Sequence, residues 1–531
     1  MKTKFFIIGL VVLLLTGVSS CTDWLTVKPQ SEVVLADFWK TGSDVESVLA
    51  SCYHGLTADD VVYRMIVWGE LRSDNLTQGT VNFVDDRADM KNILIGNLTP
   101  SNKYTSWGSF YSVINQCNYI LHYAPEVVKK DNNFTVDDYN KIKAEVLTIR
   151  SLCYFYLVRS FKDVPYITNP SIDDTQNYLV LKTPEQDVLD SITSDLLIAQ
   201  KYARTDFGRT DYNKGRVTLN TVNALLADVY LWNQKYDKCV EACDKVLADT
   251  RLVLYPTTDM YTYVFYLTNS TESIFELQFS DNIQKNNPVY NLYGNSGNGG
   301  NGELGLPAFL AYYRFPTGKG YTGDYSPFNF SYGTQNESVE DIRADESYYQ
   351  GSAVSYRIFK YAGYRMYPNQ NIGYAPLPLL RTGTSNWIIY RLSDVMLMKA
   401  EALVQLGSND NLKQAMTLVN TTYLRSNPTQ DSLSIAAYPT KPLMEALVLR
   451  ERQRELLFEG KRWYDLVRAA RRNGVTDIVN SFVTHKATEG STALDIPEMN
   501  ALYMPISKSE LTSNPKLKQN PYYDIQTTLT K

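Results

Sequence analysis

The chain is poor in the residues from which most enzymes and metal sites are built. Its 531 residues include only three histidines, His54, His122 and His485, too few and too scattered for a His-based cluster. Of the six cysteines, Cys52, Cys117, Cys153, Cys239 and Cys243 follow Cys21 with no regular spacing, which argues against a disulfide framework. Cys239 and Cys243 lie four apart on one helical face and read as buried thiols, since histidine partners are lacking. No G-x-S-x-G elbow, H-E-x-x-H pair or G-K-[ST] loop occurs. The glycine run 294–305 lacks the lysine and following helix that cradle phosphate, and reads as a surface loop. Paired carboxylates for glycoside cleavage stay open, because their separation is a tertiary fact. A net charge of −5 supplies no basic field for nucleic acid. No segment beyond residue 18 approaches the length of a membrane-spanning apolar helix.

What the chain has in excess is tyrosine, 40 residues beside 7 Trp and 19 Phe. Tyrosine offers a flat apolar face and a hydroxyl, which suits both packing between helices and stacking against a ligand. At the start, Lys2 and Lys4 precede an apolar run over 5–18, the layout of an export signal. The small residues of Val18-Ser19-Ser20-Cys21 resemble a bacterial lipoprotein cleavage site, in which Cys21 becomes the lipidated first residue. Such a chain is anchored to a membrane without crossing it.

Helical periodicity dominates on both sides of a long irregular block. A first amphipathic helix is expected over 37–55, and helical pairs over 107–128 with 136–161, within 219–249, and over 391–424. The 219–249 pair turns at Asn233-Gln234-Lys235, and its small residues Ala224, Ala227 and Ala242 permit close packing. This layout is similar to a tetratricopeptide repeat. Residues 252–387 differ: they are rich in Gly, Asn, Tyr and Pro, with β-like pieces such as 274–279 and no sustained helical period. A block of that length inside a globular protein is either functional or disordered, and its aromatic content favours order.

The densest stretch is 449–472, expected as one long helix. Opposite charges recur at helical spacing, as in Glu451/Arg454, Glu459/Arg462 and Asp465/Arg468, alongside a stripe of Leu456, Leu457, Phe458, Trp463, Leu466 and Val467. Charges so partnered usually hold structure. Residues 450–468, RERQRELLFEGKRWYDLVR, closely resemble the C-terminal signature of the SusD/RagB family, in which an E-R-x-R-E-L-x-F-E-G-x-R-x-x-D-L-x-R pattern recurs. Asp23-Trp24-Leu25 with Pro29 resembles the family's D-x-L-x-x-x-P opening. Phe161-Lys162-Asp163-Val164-Pro165 resembles its aromatic-G-D-V-P stop, with Lys162 replacing the usual glycine. The tail, from Pro505-Ile506 through Asn514-Pro515 to Gln519-Asn520-Pro521-Tyr522, resembles its ending, with Ser507 and Lys508 departing from the pattern.

The resemblance implies a mainly α, tetratricopeptide-like scaffold carrying an irregular loop-rich lobe and a few short strands. It divides into a signal peptide (1–20), a lipid-anchored tether (21–35), an N-terminal helical-repeat half (36–251), the lobe (252–387) and a C-terminal helical half (388–531). It further implies a non-enzymatic outer-membrane lipoprotein that captures oligosaccharides and delivers them to a SusC-like TonB-dependent barrel. RagB-type relatives suggest oligopeptides as the alternative ligand. No cofactor or metal is expected.

A glycan needs aromatic faces for its C–H patches and planar polar groups for its hydroxyls. Two stretches have that make-up: Trp68 with Arg72, Asp74, Asn75 and Trp107, and the lobe tyrosines Tyr290, Tyr293, Tyr312, Tyr313, Tyr321 and Tyr325. Trp107 opens a helix, where packing is the commoner role, and the lobe tyrosines divide between core and surface. Trp387 reads as core.

Overall fold

The structure is a computed structural model. It describes residues 38–78, 88–172, 175–280, 286–293, 383–486 and 494–524, with shorter pieces between 304 and 380. The leader, Cys21 and the tether lie outside these residues.

The fold is mostly helical. The N-terminal half contains α1 (Gly42–Leu56), α2 (Asp59–Ile66), α3 (Gly108–Lys130), α4 (Val136–Phe161), α5 (Glu185–Tyr202), α6 (Leu219–Trp232) and α7 (Tyr236–Leu247). The C-terminal half contains α8 (Leu392–Leu406), α9 (Asn409–Ser426), α10 (Lys441–Glu455) and α11 (Arg462–Asn473). Sequence neighbours pack as antiparallel pairs, α3 on α4, α4 on α5, α6 on α7 and α8 on α9, in a tetratricopeptide-like scaffold. Local chemistry sets the ends. The Asp44 carboxylate accepts the Thr41 backbone N–H at 2.7 Å, so α1 starts at Gly42 and not near residue 37. Thr135 and Asp138 cap α4 in the same reciprocal way. Ser408 caps α9 by accepting Asn411 N–H at 3.1 Å, one residue after Gly407 closes α8. Lys162 stops α4 with φ of 69°, a left-handed conformation that glycine adopts more easily.

The stretch expected as one helix is two. The chain breaks between Glu455 and Arg462, where Phe458 and Gly460 have φ of 68° and 71°. The cause is remote: Glu70, on the π-helical turn Val67–Leu71, is buried beneath the break. Its carboxylate accepts the backbone N–H groups of Lys461 (3.0 Å), Arg462 (3.3 Å) and Phe458 (3.4 Å). It thereby satisfies donors that a helix start leaves open. Gly69 lies against this turn so closely that a Cβ there would stand 2.0 Å from the Gly460 carbonyl oxygen.

The strands are short: β1 (Thr77–Gln78), β2 (Ser273–Leu277), β3 (Leu304–Pro307), β4 (Tyr312–Arg314), β5 (Gly320–Thr322), β6 (Tyr348–Gln350), β7 (Ser355–Ile358), β8 (Gly363–Met366), β9 (Leu377–Leu380) and β10 (Trp387–Arg391). Antiparallel pairing of β10 with β2 joins Trp387 to Leu277 and Arg391 to Ser273, so the irregular block begins and ends at one buried ribbon. A four-stranded sheet, β1-β3-β7-β6, draws a strand from the N-terminal half into that block. Trp387 is buried, as are the five cysteines that follow Cys21, all present as free thiols. In the tail, Gln519 exchanges two hydrogen bonds with the backbone of Ile506, at 2.7 and 2.8 Å, which fixes the Q-N-P ending against the body.

Candidate functional site

Most of the first aromatic-polar stretch belongs to the core. Trp68 is 1% exposed; its indole N–H donates to the Tyr104 carbonyl at 2.7 Å, and its ring stacks on Phe110 with centroids 4.9 Å apart. Trp107 packs edge-on against Phe161. The Arg72 guanidinium donates to the carbonyls of Leu502 and Ala501 at 2.7 and 2.6 Å and lies over the Trp463 ring. Asp74 pairs with Arg462 at 2.8 Å, and Asn75 bridges Glu70 and Gln453. Tyr293, from the lobe, is also buried, its hydroxyl donating to the Phe458 carbonyl. These six side chains, Trp68, Arg72, Asp74, Asn75, Trp107 and Tyr293, have no face left for a ligand, which corrects the expectation. Arg72, Asp74 and Asn75 find Leu502, Arg462 and Gln453 hundreds of residues away, so the polar composition that suggested a surface turn instead serves a buried junction.

Tyr290, on the helix Val289–Tyr293, is half-buried, and its neighbour Asn291 donates to the Tyr63 hydroxyl at 3.2 Å. Tyr312 and Tyr313 sit in β4, opposite Thr322 and Tyr321 of β5; the side chains of these tyrosines, and all of Tyr325, lie outside the described residues.

The charges of the signature segment are internal. Arg343, Lys360, Arg391, Arg425 and Arg454 meet Asp341, Glu272, Glu451, Glu455 and Glu459 in one connected network, five cations against five anions among the described residues. A second network joins Arg452, Lys461, Arg468 and Arg472 to Asp394, Glu401, Asp465 and Glu445. Burial raises the pKa of Glu455, but Arg425, Arg391 and Arg343 overcome that and hold it well below the usual carboxylate range. Local pairing survives at Glu451/Arg454 and Asp465/Arg468, whereas Arg462 turns from Glu459 to Asp74. The first network is buried and ties the lobe to the scaffold, whereas the second lies within the C-terminal half, with Glu445 at its partly exposed edge.

The open site lies elsewhere, in a cleft of about 880 Å³ between α1, the short helix Thr210–Gly215 and the base of the lobe. Such a volume falls in the range of small-ligand sites. Glu46, Leu49, Ala50 and Tyr53 form one wall, spaced by three and four along one face of α1. Opposite stand Asp211, Tyr212 and Arg216. Tyr212 is 43% exposed and presents a ring at the mouth. Gly215 allows the lobe to close in, since a Cβ there would meet Gln278 Cγ at 2.6 Å.

The third wall is a ladder of amides. Asn269 and Gln278 exchange hydrogen bonds at 3.1 and 3.0 Å, Asn386 donates to Gln278 at 3.1 Å, and Phe279 N–H donates to Asn386 at 2.8 Å. Glu276 anchors the ladder from beneath, accepting Asn269 N–H at 3.0 Å and the Asn386 amide at 2.8 Å. Burial pushes the Glu276 pKa up. Thr268 and Asn269 adopt left-handed φ values of 64° and 52°, a conformation that costs energy in a β-branched residue and is held by these bonds. Arg216 gives Nε and Nη2 to Glu145 at 2.9 and 2.7 Å, and the Tyr53 hydroxyl donates to the same carboxylate. Burial opposes the Arg216 charge, and Glu145 more than offsets this, raising its pKa. An exposed ring beside fixed planar amides can stack on a sugar face and hydrogen-bond its hydroxyls. The sequence did not point to this cleft, because its walls come from segments separated by up to some three hundred residues and none is unusual alone.

Two family matches divide the chain: residues 23–231 match the family described as starch-binding and associating with the outer membrane, and residues 309–523 match the SusD family. The chain belongs to the SusD family. SusD-like protein P38 of Formosa agariphila is 26% identical across 98% of this chain and all of that protein. A SusD-like protein of Bacteroides ovatus is 23% identical over 98% of both chains. Among solved structures, a SusD superfamily protein from Bacteroides thetaiotaomicron covers 91% of this chain and 99% of its own, with a TM-score of 0.68 at 20% identity. A putative sugar binding protein from Bacteroides vulgatus aligns over 91% and 99%, with a TM-score of 0.66 at 22% identity. These structural likenesses establish the fold. The SusD-like family binds glycans at the cell surface without catalysis and associates with the outer membrane.

Proposed function

We propose that this SusD-like protein is a surface-facing lipoprotein, anchored through Cys21, that captures oligosaccharides and delivers them to a SusC-like TonB-dependent barrel. The observation that carries the capture half is the cleft. It sets the exposed Tyr212 ring near the Asn269 amide, which Gln278 holds in place, the two kinds of group that a sugar face and its hydroxyls require. Tyr290 remains a lobe contact in this reading, a half-buried aromatic on a surface shared with Tyr63.

Isothermal titration of the soluble mature form, begun after Cys21, against plant, host and fungal glycans tests this directly. Binding to one glycan class, weakened in Tyr212→Ala or Tyr290→Ala, is the expected result. Silence across the whole panel refutes glycan capture by the isolated protein. Delivery has its own test: affinity purification of the lipidated protein is expected to retain a TonB-dependent barrel, and its absence counts against docking.

A further inference from the structure

The charge inventory of the cleft restricts what it can hold. Among the described residues its lining contains a single cation, Arg216, and two carboxylates, Glu46 and Asp211. Arg216 commits two nitrogens to the buried Glu145 and stands 3.5 Å from Glu46, so one positive charge already faces two negative ones. Asp211 is matched at 2.7 Å by Arg209, whose guanidinium also lies 4.4 Å over one face of the Tyr212 ring and leaves the other face for a ligand. The summed local charge of these groups is therefore negative, and the Arg216 charge is already neutralised by the buried Glu145 before any anionic ligand arrives. The remaining polar side chains among the described lining residues are neutral: the Asn269, Gln278 and Asn386 amides, the Tyr53 and Tyr212 hydroxyls, and those of Thr268, Ser280 and Thr384. The Gln278 amide is fully engaged and both Asn386 N–H groups are spent, so Asn269 is the ladder amide that still offers both a donor and an acceptor on one plane, which suits adjacent hydroxyls on a pyranose ring. The ladder is already bonded and tied to Glu276, so little side-chain freedom is lost on binding.

From this we infer that the cleft takes a neutral oligosaccharide segment and discriminates against uronate-bearing chains. The inference rests on the glycan-capture reading and adds its substrate class. Recognition proceeds by stacking on the free face of Tyr212 and hydrogen bonding to the Asn269 amide, which the rest of the ladder holds in place, with Glu46 as the group that turns acidic chains away.

The test uses the soluble mature chain and hexasaccharide probes of matched length: cellohexaose, xylohexaose, laminarihexaose and mannohexaose as neutral chains, and hexagalacturonate as the acidic one. At least one neutral probe is expected to bind about tenfold more tightly than hexagalacturonate. Its affinity should change less than about twofold between roughly 50 and 500 mM salt, since no charge pairing is involved. Tyr212→Ala, on a residue exposed enough to leave folding intact, should weaken neutral binding about tenfold. Glu46→Lys should narrow the gap to hexagalacturonate. Equal or tighter binding of hexagalacturonate by the unaltered protein overturns the inference. So does neutral binding that Tyr290→Ala abolishes and Tyr212→Ala leaves intact, a result that preserves glycan capture but moves it to the lobe. Failure of every probe, neutral and acidic, instead refutes glycan capture itself and the inference with it.

Discussion

Replacing Glu455 by Gln keeps the shape of the side chain and removes one charge from the centre of the larger buried network. Glu455 is fully buried and accepts from Arg391 at 2.6 Å, Arg343 at 3.0 Å and Arg425. The substitution converts five cations and five anions into five and four, and the surplus positive charge has no route to water. Breaking a buried ion pair from one side costs about 3–5 kcal/mol, because the partner stays buried and uncompensated. The native depression of the Glu455 pKa gives the sign of the pH effect. A carboxylate held below its unfolded value adds stability above that value and loses it as the pH falls. Glu455→Gln should therefore lose most stability at neutral pH and less in acid. Equilibrium urea unfolding followed by tryptophan fluorescence reads the change, with Glu241→Gln as the control. Glu241 pairs with Lys238 where both side chains are more than half exposed, at 59% and 56%, and such pairs are worth no more than about 1 kcal/mol. Combining Glu455→Gln with Arg425→Gln restores the charge balance and should recover part of the loss. A midpoint for Glu455→Gln no lower than that of Glu241→Gln would refute the argument.

Trp68→Ala, once a candidate ligand contact, should act on stability. Emptying a site packed by Phe110 and Phe161 is expected to cost about 3–5 kcal/mol, with glycan affinity of the folded fraction unchanged, which titration at low temperature would check. Glu70 should show the opposite pH sense to Glu455. Burial raises its pKa from the ordinary 4.5 to about 7, so the stability it contributes is present in acid and lost as pH rises between those values. The stability of the natural protein relative to Glu70→Gln should fall by about 3 kcal/mol over that window, measured by unfolding at the two ends. A flat difference would place the carboxylate in water.

The periodic segments were legible because helix formation is local. The bounds expected for α4 match the structure, and those of α3, α6, α7, α8 and α9 lie close, set by caps and turns within a few residues of each end. The signature stretch shows where this legibility stops. Its composition marked a charged, partnered element and its motif pointed to the family, yet its periodicity predicted one helix. Only the remote Glu70 carboxylate, with Gly69 pressed against Gly460, shows why two helices form. The candidate site was less legible. Trp68, Arg72, Asp74 and Asn75 have the composition of a sugar-binding turn, but Tyr104, Leu502, Arg462 and Gln453 bury them.

By itself the sequence determined the mainly helical repeat scaffold, the family and the buried state of Cys239 and Cys243. Periodicity, capping residues and fixed motif spacing are properties of neighbouring residues in the chain. Tertiary structure alone decided which carboxylates meet which guanidinium groups, which aromatic rings reach solvent, and where α1, Tyr212 and the Asn269 ladder leave a cleft. Each of those depends on distances between residues far apart in sequence, and spacing along the chain carries no information about them.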